Sequence, residues 1–346
     1  MLTQTEVKKI KDELKTCTRP LFFFHDDPDG LASFVLCYRF VQEGRGLPVK
    51  AYPRITIEFA RKVEEYGADK VFVLDVAMVD QEFIDAVKVP IIWIDHHTLL
   101  ERENVLYFNP QRRGVNVPTP VLIWQVIGED RPQDLWIAVT GSIGDWYFPP
   151  FAKEYQEKNA DLLPAECTTV QEAYFSTPIG RLVKVFSFIL KGHMTMVMQS
   201  IKTLTRLEDP REILFQTTSR GSFLYRKYES VNEDYEKLLV EAKQHVTDDK
   251  LFLFIYHDDK LSLTKDLANE LLYLLKDKIV ILGRERNGEM RCSLRAPEKI
   301  QLSKALEHAL VGIQGYGGGH EQACGAAIKK EDFETFIANL RKELKL

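Results

Sequence analysis

Apolar runs in the first 150 residues end abruptly on acids or histidines. LFFF leads into HDDPDG (25–30), VFVL into Asp75, and VPIIWI (89–94) into Asp95, His96 and His97. Short apolar runs bounded by polar residues predict fully buried strands, which in an open α/β sheet deliver their C-terminal residues into the ligand crevice. Between them the pattern is helical. MLTQTEVKKIKDELK and ARKVEEYGAD are amphipathic, GLASFVLCYRF follows the first acidic cluster, and PVLIWQVIG and LWIAVTGSIGDWYF are apolar, the last carrying Asp145 at its end. AYPRITIEF reads as a further strand and YFNPQRRGVNVPT as a loop, while Asp80, just before QEFIDAV, has the place of a helix cap.

Residues 151–230 are helical in pattern. The stretch 178–204 is too densely apolar for an exposed face, so it is expected in a core or a subunit contact, and its apolar part at 182–190 makes a homo-oligomer the expected assembly. Met194, Met196 and Met198 are expected to pack. YESVNEDYEKLLVEAKQHVTDD predicts a charged helix. From 250 the order is strand, helix, two strands joined at Asn287 and Gly288, helix, a glycine-rich loop entering a strand, and helix. The expected fold is α/β in two domains: 1–230 with a mainly parallel sheet flanked by helices, a helical connector at 231–249, and a smaller α/β domain at 250–346.

Composition narrows the class. With 346 residues, 45% of them hydrophobic, the chain can bury two cores. No apolar run approaches the roughly 18 residues of a membrane span, and the N-terminus lacks the apolar core of a signal peptide, so the expected address is cytoplasmic, without a membrane partner. The five cysteines are scattered and never in a CxxC pair. That argues against a disulfide framework and a zinc knuckle, and predicts reduced core thiols. A net charge of −5 gives no global attraction to nucleic acid, so such binding would rest on a local basic strip. Arg284, Arg286, Arg291, Arg295, Lys299 and Lys304 outnumber Glu285, Glu289 and Glu298 in one stretch and would supply it.

The acidic clusters carry the candidate chemistry. His25, Asp27 and Asp29 stand at i, i+2 and i+4, which on extended backbone puts them on one face. Asp29 also has the place of an N-cap, but a histidine and three aspartates within five residues repel one another unless a cation neutralises them. With Asp75, His96 and Asp145 they form a carboxylate and imidazole set without thiolates, which suits manganese or magnesium rather than structural zinc. Six ligands, one of them shared, can hold two ions, and paired ions are the usual device for hydrolysing phosphate esters. Gly317, Gly318 and Gly319 bring main-chain N–H groups close enough to cradle an anion.

HDDPDG, LDVAMVD, IDHHT and GSIGD resemble, in order and spacing, the four motifs of the DHH phosphoesterase superfamily, and CSLRAP with GYGGGHEQACG resembles its DHH-associated C-terminal domain. The resemblance implies two divalent ions, Mn2+ favoured over Mg2+. Asp75 would bridge them, His25 and Asp27 would complete one site, and Asp29, His96 and Asp145 the other. It implies that His97 touches the scissile phosphate, that Asp95 orients an imidazole, and that Arg295, His320, Ser293 and the glycines 317–319 hold substrate. Val76 and Ala77 stand where the second motif usually has a glycine, which removes no ligand. HDDPDG is similar to the archaeal RecJ-like form, and the compact length to the Hef-associated nuclease type. That resemblance implies a single-strand exonuclease, DNA favoured over RNA and 3′ to 5′ in direction, with a Hef-type helicase as partner. The alternatives are a hydrolase of short oligoribonucleotides or nucleotides with the same ligands, and a non-catalytic replication scaffold.

Overall fold

The computed structural model describes residues 1–50, 54–257 and 261–346. They form two compact units, Met1–Tyr228 and Glu229–Leu346. In the first, the strands are β1 (Pro20–His25), β2 (Arg45–Val49), β3 (Arg54–Ile55), β4 (Lys70–Leu74), β5 (Met78–Val79), β6 (Ile91–Ile94) and β7 (Leu106–Phe108). Five of them make one sheet in the order β2-β1-β4-β6-β7, parallel throughout, and β3 pairs with β5. The sequence expectation of a strand over AYPRITIEF falls partly on 51–53, outside the described residues.

Phe22, Phe23 and Phe24 are successive on β1 and all fully buried, because helices cover both faces of the sheet. Phe22 stacks on Phe72 of β4, and Phe24 on Phe34 of the helix Pro28–Val41. Phe23 points to the other face, where it meets Phe59 and Phe83 edge-on. There Val71, Val73, Ile91 and Trp93 close a second core layer with Val63 of the helix Ala60–Tyr66.

Two strands of the five-stranded parallel sheet lacked a sequence signal. β2 is RGLPV, whose Pro48 is tolerated because β2 is a sheet edge, and β7 holds three residues of the segment read as a loop. The dense apolar helix Pro178–Ile189 lies in the core of its own unit, with Leu182, Val183, Phe186, Phe188 and Ile189 all buried. The expected packing of the methionines is corrected for two of them, while Met198 is half-buried. Met194 and Met196 are 46% and 39% exposed on the helix Met194–Leu204. All five cysteines are free and buried.

The helix Ser219–Gln244 begins earlier than the charged pattern suggested, and the boundary between the units falls inside it. Beyond the boundary it is no bare connector: Tyr235 is fully buried, and its hydroxyl donates to Glu270 at 2.5 Å. The C-terminal unit carries β8 (Leu251–Tyr256), β9 (Ile279–Arg286), β10 (Glu289–Arg295), β11 (Gly315–Gly319) and β12 (Ala323–Lys329), in the order β11-β12-β10-β9-β8 with only β8 and β9 parallel. Asn287 and Gly288 both have positive φ, as the tight β9-β10 turn requires. No helix among the described residues is long and apolar enough to cross a membrane.

Candidate metal centre

Because the first sheet is parallel, the C-terminal ends of its strands share one edge, and the candidate ligands gather there. His25 closes β1, Asp75 follows β4, and Asp95, His96 and His97 follow β6. Asp27 keeps the extended backbone that the alternation suggested, at φ −136° and ψ 177°, but Asp29 does not. Asp27 is the N-cap of the helix Pro28–Val41, its carboxylate accepting from the Gly30 N–H, and Asp29 lies in that helix's first turn. The expected N-cap role of Asp29 is therefore Asp27's. The two carboxylates diverge and serve different clusters.

Asp145 arrives at the C-terminus of the helix Leu135–Gly144. Two glycines allow that approach: a Cβ on Gly141 would lie 2.4 Å from the Ala32 Cβ, and one on Gly144 would lie 2.6 Å from the Pro28 Cβ. This helix can therefore lie against the start of the helix that carries Asp29.

The outcome is two interlocked groups, His25 with Asp27 and Asp75, and Asp29 with His96 and Asp145, and a third that joins Asp75 and His96 to His97. His25 Nδ1 lies 3.0 Å from Asp27 Oδ2 and 3.6 Å from Asp75 Oδ2. His96 Nε2 lies 3.3 Å from Asp75 Oδ1, 3.7 Å from Asp145 Oδ2 and 3.8 Å from Asp29 Oδ2. Asp75 thus turns one oxygen to each group. It does so from a left-handed backbone, φ 57°, which a non-glycine residue holds only at a cost of about 1 kcal/mol or more. His97 Nδ1 sits 2.7 Å from Asp95 Oδ1, and Asp95 is wholly buried.

The fit to cations can be tested on the side chains themselves. Both carboxylate oxygens of Asp29 are buried without a hydrogen-bond partner. Burial, with Asp75 and Asp145 nearby, pushes its carboxyl well above the usual range. For His25, burial opposes protonation but Asp27 and Asp75 outweigh it, and the imidazole titrates well above an ordinary histidine. His96 is raised in the same way, its burial outweighed by Asp75, Asp145 and Asp29. A site that draws protons this strongly while leaving buried oxygens unsatisfied suits divalent cations, which would replace the protons.

Supporting residues escaped the sequence reading. His96 Nδ1 meets Asn116 Oδ1 at 3.1 Å, while Gln111 donates to the His96 carbonyl at 2.6 Å and Asn109 to the His97 carbonyl at 2.9 Å. All three lie in YFNPQRRGVNVPT, where nothing in a single sequence distinguishes a residue that orients an imidazole from an ordinary loop amide.

The remaining candidates lie in the C-terminal unit. Gly317, Gly318 and Gly319 belong to the exposed edge strand β11 rather than to a loop, paired with β12 on one side only. His320 follows at the turn, where its N–H donates to the Ala323 carbonyl. Ser293 and Arg295 are buried on β10, and Arg295 Nε donates to Asn269 at 2.5 Å. The expected basic strip is broken, because Arg284 and Arg295 are both buried.

Known proteins share this fold. Residues 252–346 match the DHHA1 domain family, so the C-terminal unit carries a DHHA1 domain. By fold, the chain is similar to RecJ from Thermus thermophilus in complex with Mn2+ (17% identity, TM-score 0.70, 99% of this chain and 54% of that one). It thus spans about half the length of that RecJ. An exonuclease RecJ bound to manganese is similar over 100% of this chain and 96% of that one (16% identity, TM-score 0.60). A pGpG-specific phosphodiesterase, PggH from Vibrio cholerae, is similar over 95% of this chain and 99% of that one (15% identity, TM-score 0.50). No curated protein matches by sequence. A parallel sheet flanked by helices and followed by a DHHA1 domain is the architecture of RecJ-type DHH proteins.

Proposed function

We propose that the chain is a metal-dependent phosphoesterase that removes nucleotides from the end of single-stranded nucleic acid, with DNA the favoured substrate and 3′ to 5′ the favoured direction. The observation that carries the reading is Asp75, whose two oxygens face two separate histidine and aspartate groups. His25, Asp27 and Asp75 would hold one divalent ion, and Asp29, Asp75, His96 and Asp145 a second, with Mn2+ favoured over Mg2+. Two such ions, when bound, supply activation of water and charge neutralisation at the phosphate.

The chain's own residues do the rest. Asp95 accepts from His97 Nδ1 and fixes the ring. Burial opposes protonation of His97, but Asp95 and Asp75 outweigh it and raise it above the ordinary value. Held in this way, the imidazole would touch the scissile phosphate and stabilise the charge that develops on it. Asn116, Gln111 and Asn109 hold the two histidines in register. In the C-terminal unit, Arg295, Ser293, His320 and the glycines 317–319 would grip substrate, and a Hef-type helicase is the proposed partner.

A second reading, hydrolysis of very short oligonucleotides or dinucleotides, is favoured by the end-to-end correspondence with a pGpG phosphodiesterase. Manganese-dependent digestion of 20-residue and 3-residue strands, DNA and RNA, each labelled at one end, separates the two. Mononucleotides released from the 3′ end of long DNA are the expected result. Cleavage confined to the short strands moves the chain to the second reading, and no cleavage of any strand removes both.

A further inference from the structure

β2 also ends at the edge that carries the metal centre. Val49 pairs with His25 in the parallel register, so Lys50 and Asp26 are the next residues out on neighbouring strands. Lys50 reaches the turn that follows the helix Pro178–Ile189, where its ammonium donates to the carbonyls of Leu190 at 3.2 Å and Gly192 at 3.4 Å. Lys227, on the helix Ser219–Gln244, comes to the same turn: its Nζ lies 3.4 Å from where a Cβ on Gly192 would sit. Lys191 belongs to the turn itself and acts electrostatically on both Lys50 and Asp26. Asp26 in turn places Oδ1 3.9 Å from His25 Nε2.

Three ammonium groups therefore share one turn, and two of them, Lys50 and Lys191, act on Asp26 at the rim of a centre otherwise made of carboxylates and imidazoles. Capping the exposed carbonyls at a helix C-terminus would account for Lys50 alone. It does not account for Lys227, which comes to the same turn from a different helix, and positive charge gathered at one rim suits an anionic substrate group. The strain is visible in Lys50, which burial, together with Lys191 and Lys227, holds below the ordinary lysine value while Asp26 acts the other way.

We propose that Lys50, Lys191 and Lys227 form a phosphate subsite that holds a second, non-scissile phosphate of the substrate on the His25 side of the metal centre. This rests on the phosphoesterase reading above and deepens it: the substrate carries at least two phosphates, one cleaved and one gripped by lysine. Ammonium groups on long stems suit this task, as point charges that attract a phosphate without demanding one orientation.

The test compares the wild type with Lys50→Gln, Lys191→Gln and Lys227→Gln on two substrates in Mn2+. One is 5′-phosphorylated dithymidine, with two phosphates; the other is the p-nitrophenyl ester of thymidine 5′-phosphate, with one. Each glutamine variant is expected to lose about tenfold or more in kcat/KM on the dinucleotide, the worth of a charge-assisted contact, and less than about twofold on the ester. Lys227→Arg, which keeps the charge, is expected to retain most of the dinucleotide activity. Equal losses on both substrates, or no loss on either, overturn the subsite. A binding arm with the ions chelated by EDTA separates this from failure of the phosphoesterase reading. If the wild type cleaves neither substrate, that reading falls. The subsite then stands only if the wild type binds phosphorylated dithymidine more tightly than the 5′-hydroxyl form and the glutamine variants lose the preference. Equal affinities overturn it.

Discussion

At the scale of single residues, Asp75 joins the two ligand groups, and its left-handed backbone shows that the fold tolerates strain to put it there. Asparagine adopts the same conformation readily, so Asp75→Asn tests the charge without disturbing the turn. That variant is expected to lose activity by about a thousandfold or more, keep its melting temperature in EDTA, and lose the rise in melting temperature that Mn2+ gives the wild type. Retained activity or a retained Mn2+ shift removes Asp75 from the centre. Asp69 makes a prediction of a different kind. Burial works against its ionisation, but the N–H groups of Thr18 and Arg19 and the Thr18 hydroxyl outweigh it and hold the carboxyl below its ordinary value. A lowered pKa contributes stability that is complete above the unfolded value and lost as pH falls through the folded one. Asp69→Asn is therefore expected to cost about 1 kcal/mol at pH 7, with the gap closing below about pH 4. Melting curves of both proteins from pH 3 to 7 check it, and a gap independent of pH defeats it. His25, Asp27, Asp29, Asp75, His96 and Asp145 could be picked out of the sequence because polar ligand types directly following buried runs are costly unless used. Asn116 and Gln111 could not, since an amide in a loop leaves no mark.

At the scale of elements, the centre depends on parallel strands that end together and on one helix brought unusually close. Gly144 permits the approach that places Asp145 beside His96. Gly144→Ala gains about 1 kcal/mol of helix propensity but forces a methyl group into Pro28, so the net expectation is a loss of about 1 to 2 kcal/mol. With Asp145 displaced, activity is expected to fall about tenfold or more at limiting Mn2+ and to recover partly at high Mn2+. A fully active, equally stable variant shows that the helix can shift freely. The buried strands and apolar helices were legible here, because burial on both faces leaves continuous apolar runs. β2 and β11 were not. One is an edge strand with a proline, and the other is a row of exposed glycines held by backbone pairing that needs no apolar side chain.

At the scale of the whole molecule, the six candidate ligands all belong to Met1–Tyr228, while Glu229–Leu346 has a core of its own built from Leu251, Ile281, Leu294, Leu306, Ile328 and Phe336. A fragment spanning 219–346 is expected to melt cooperatively at a temperature indifferent to Mn2+. The full chain should gain about 2.7 kcal/mol at Mn2+ one hundredfold above its dissociation constant. Calorimetry of both decides it, and an Mn2+-dependent shift in the fragment locates ligands outside the proposed centre. The sequence by itself determined the α/β class and the residue types of the centre, because buried strands and the ligands after them are local patterns of hydrophobicity and charge. Only the tertiary structure decided that Asp27 and Asp29 part company, that Asp75 faces both groups, and that Lys50, Lys191 and Lys227 converge. Those relations depend on helix starts, strand register and the closeness of packing, which join residues far apart in the chain.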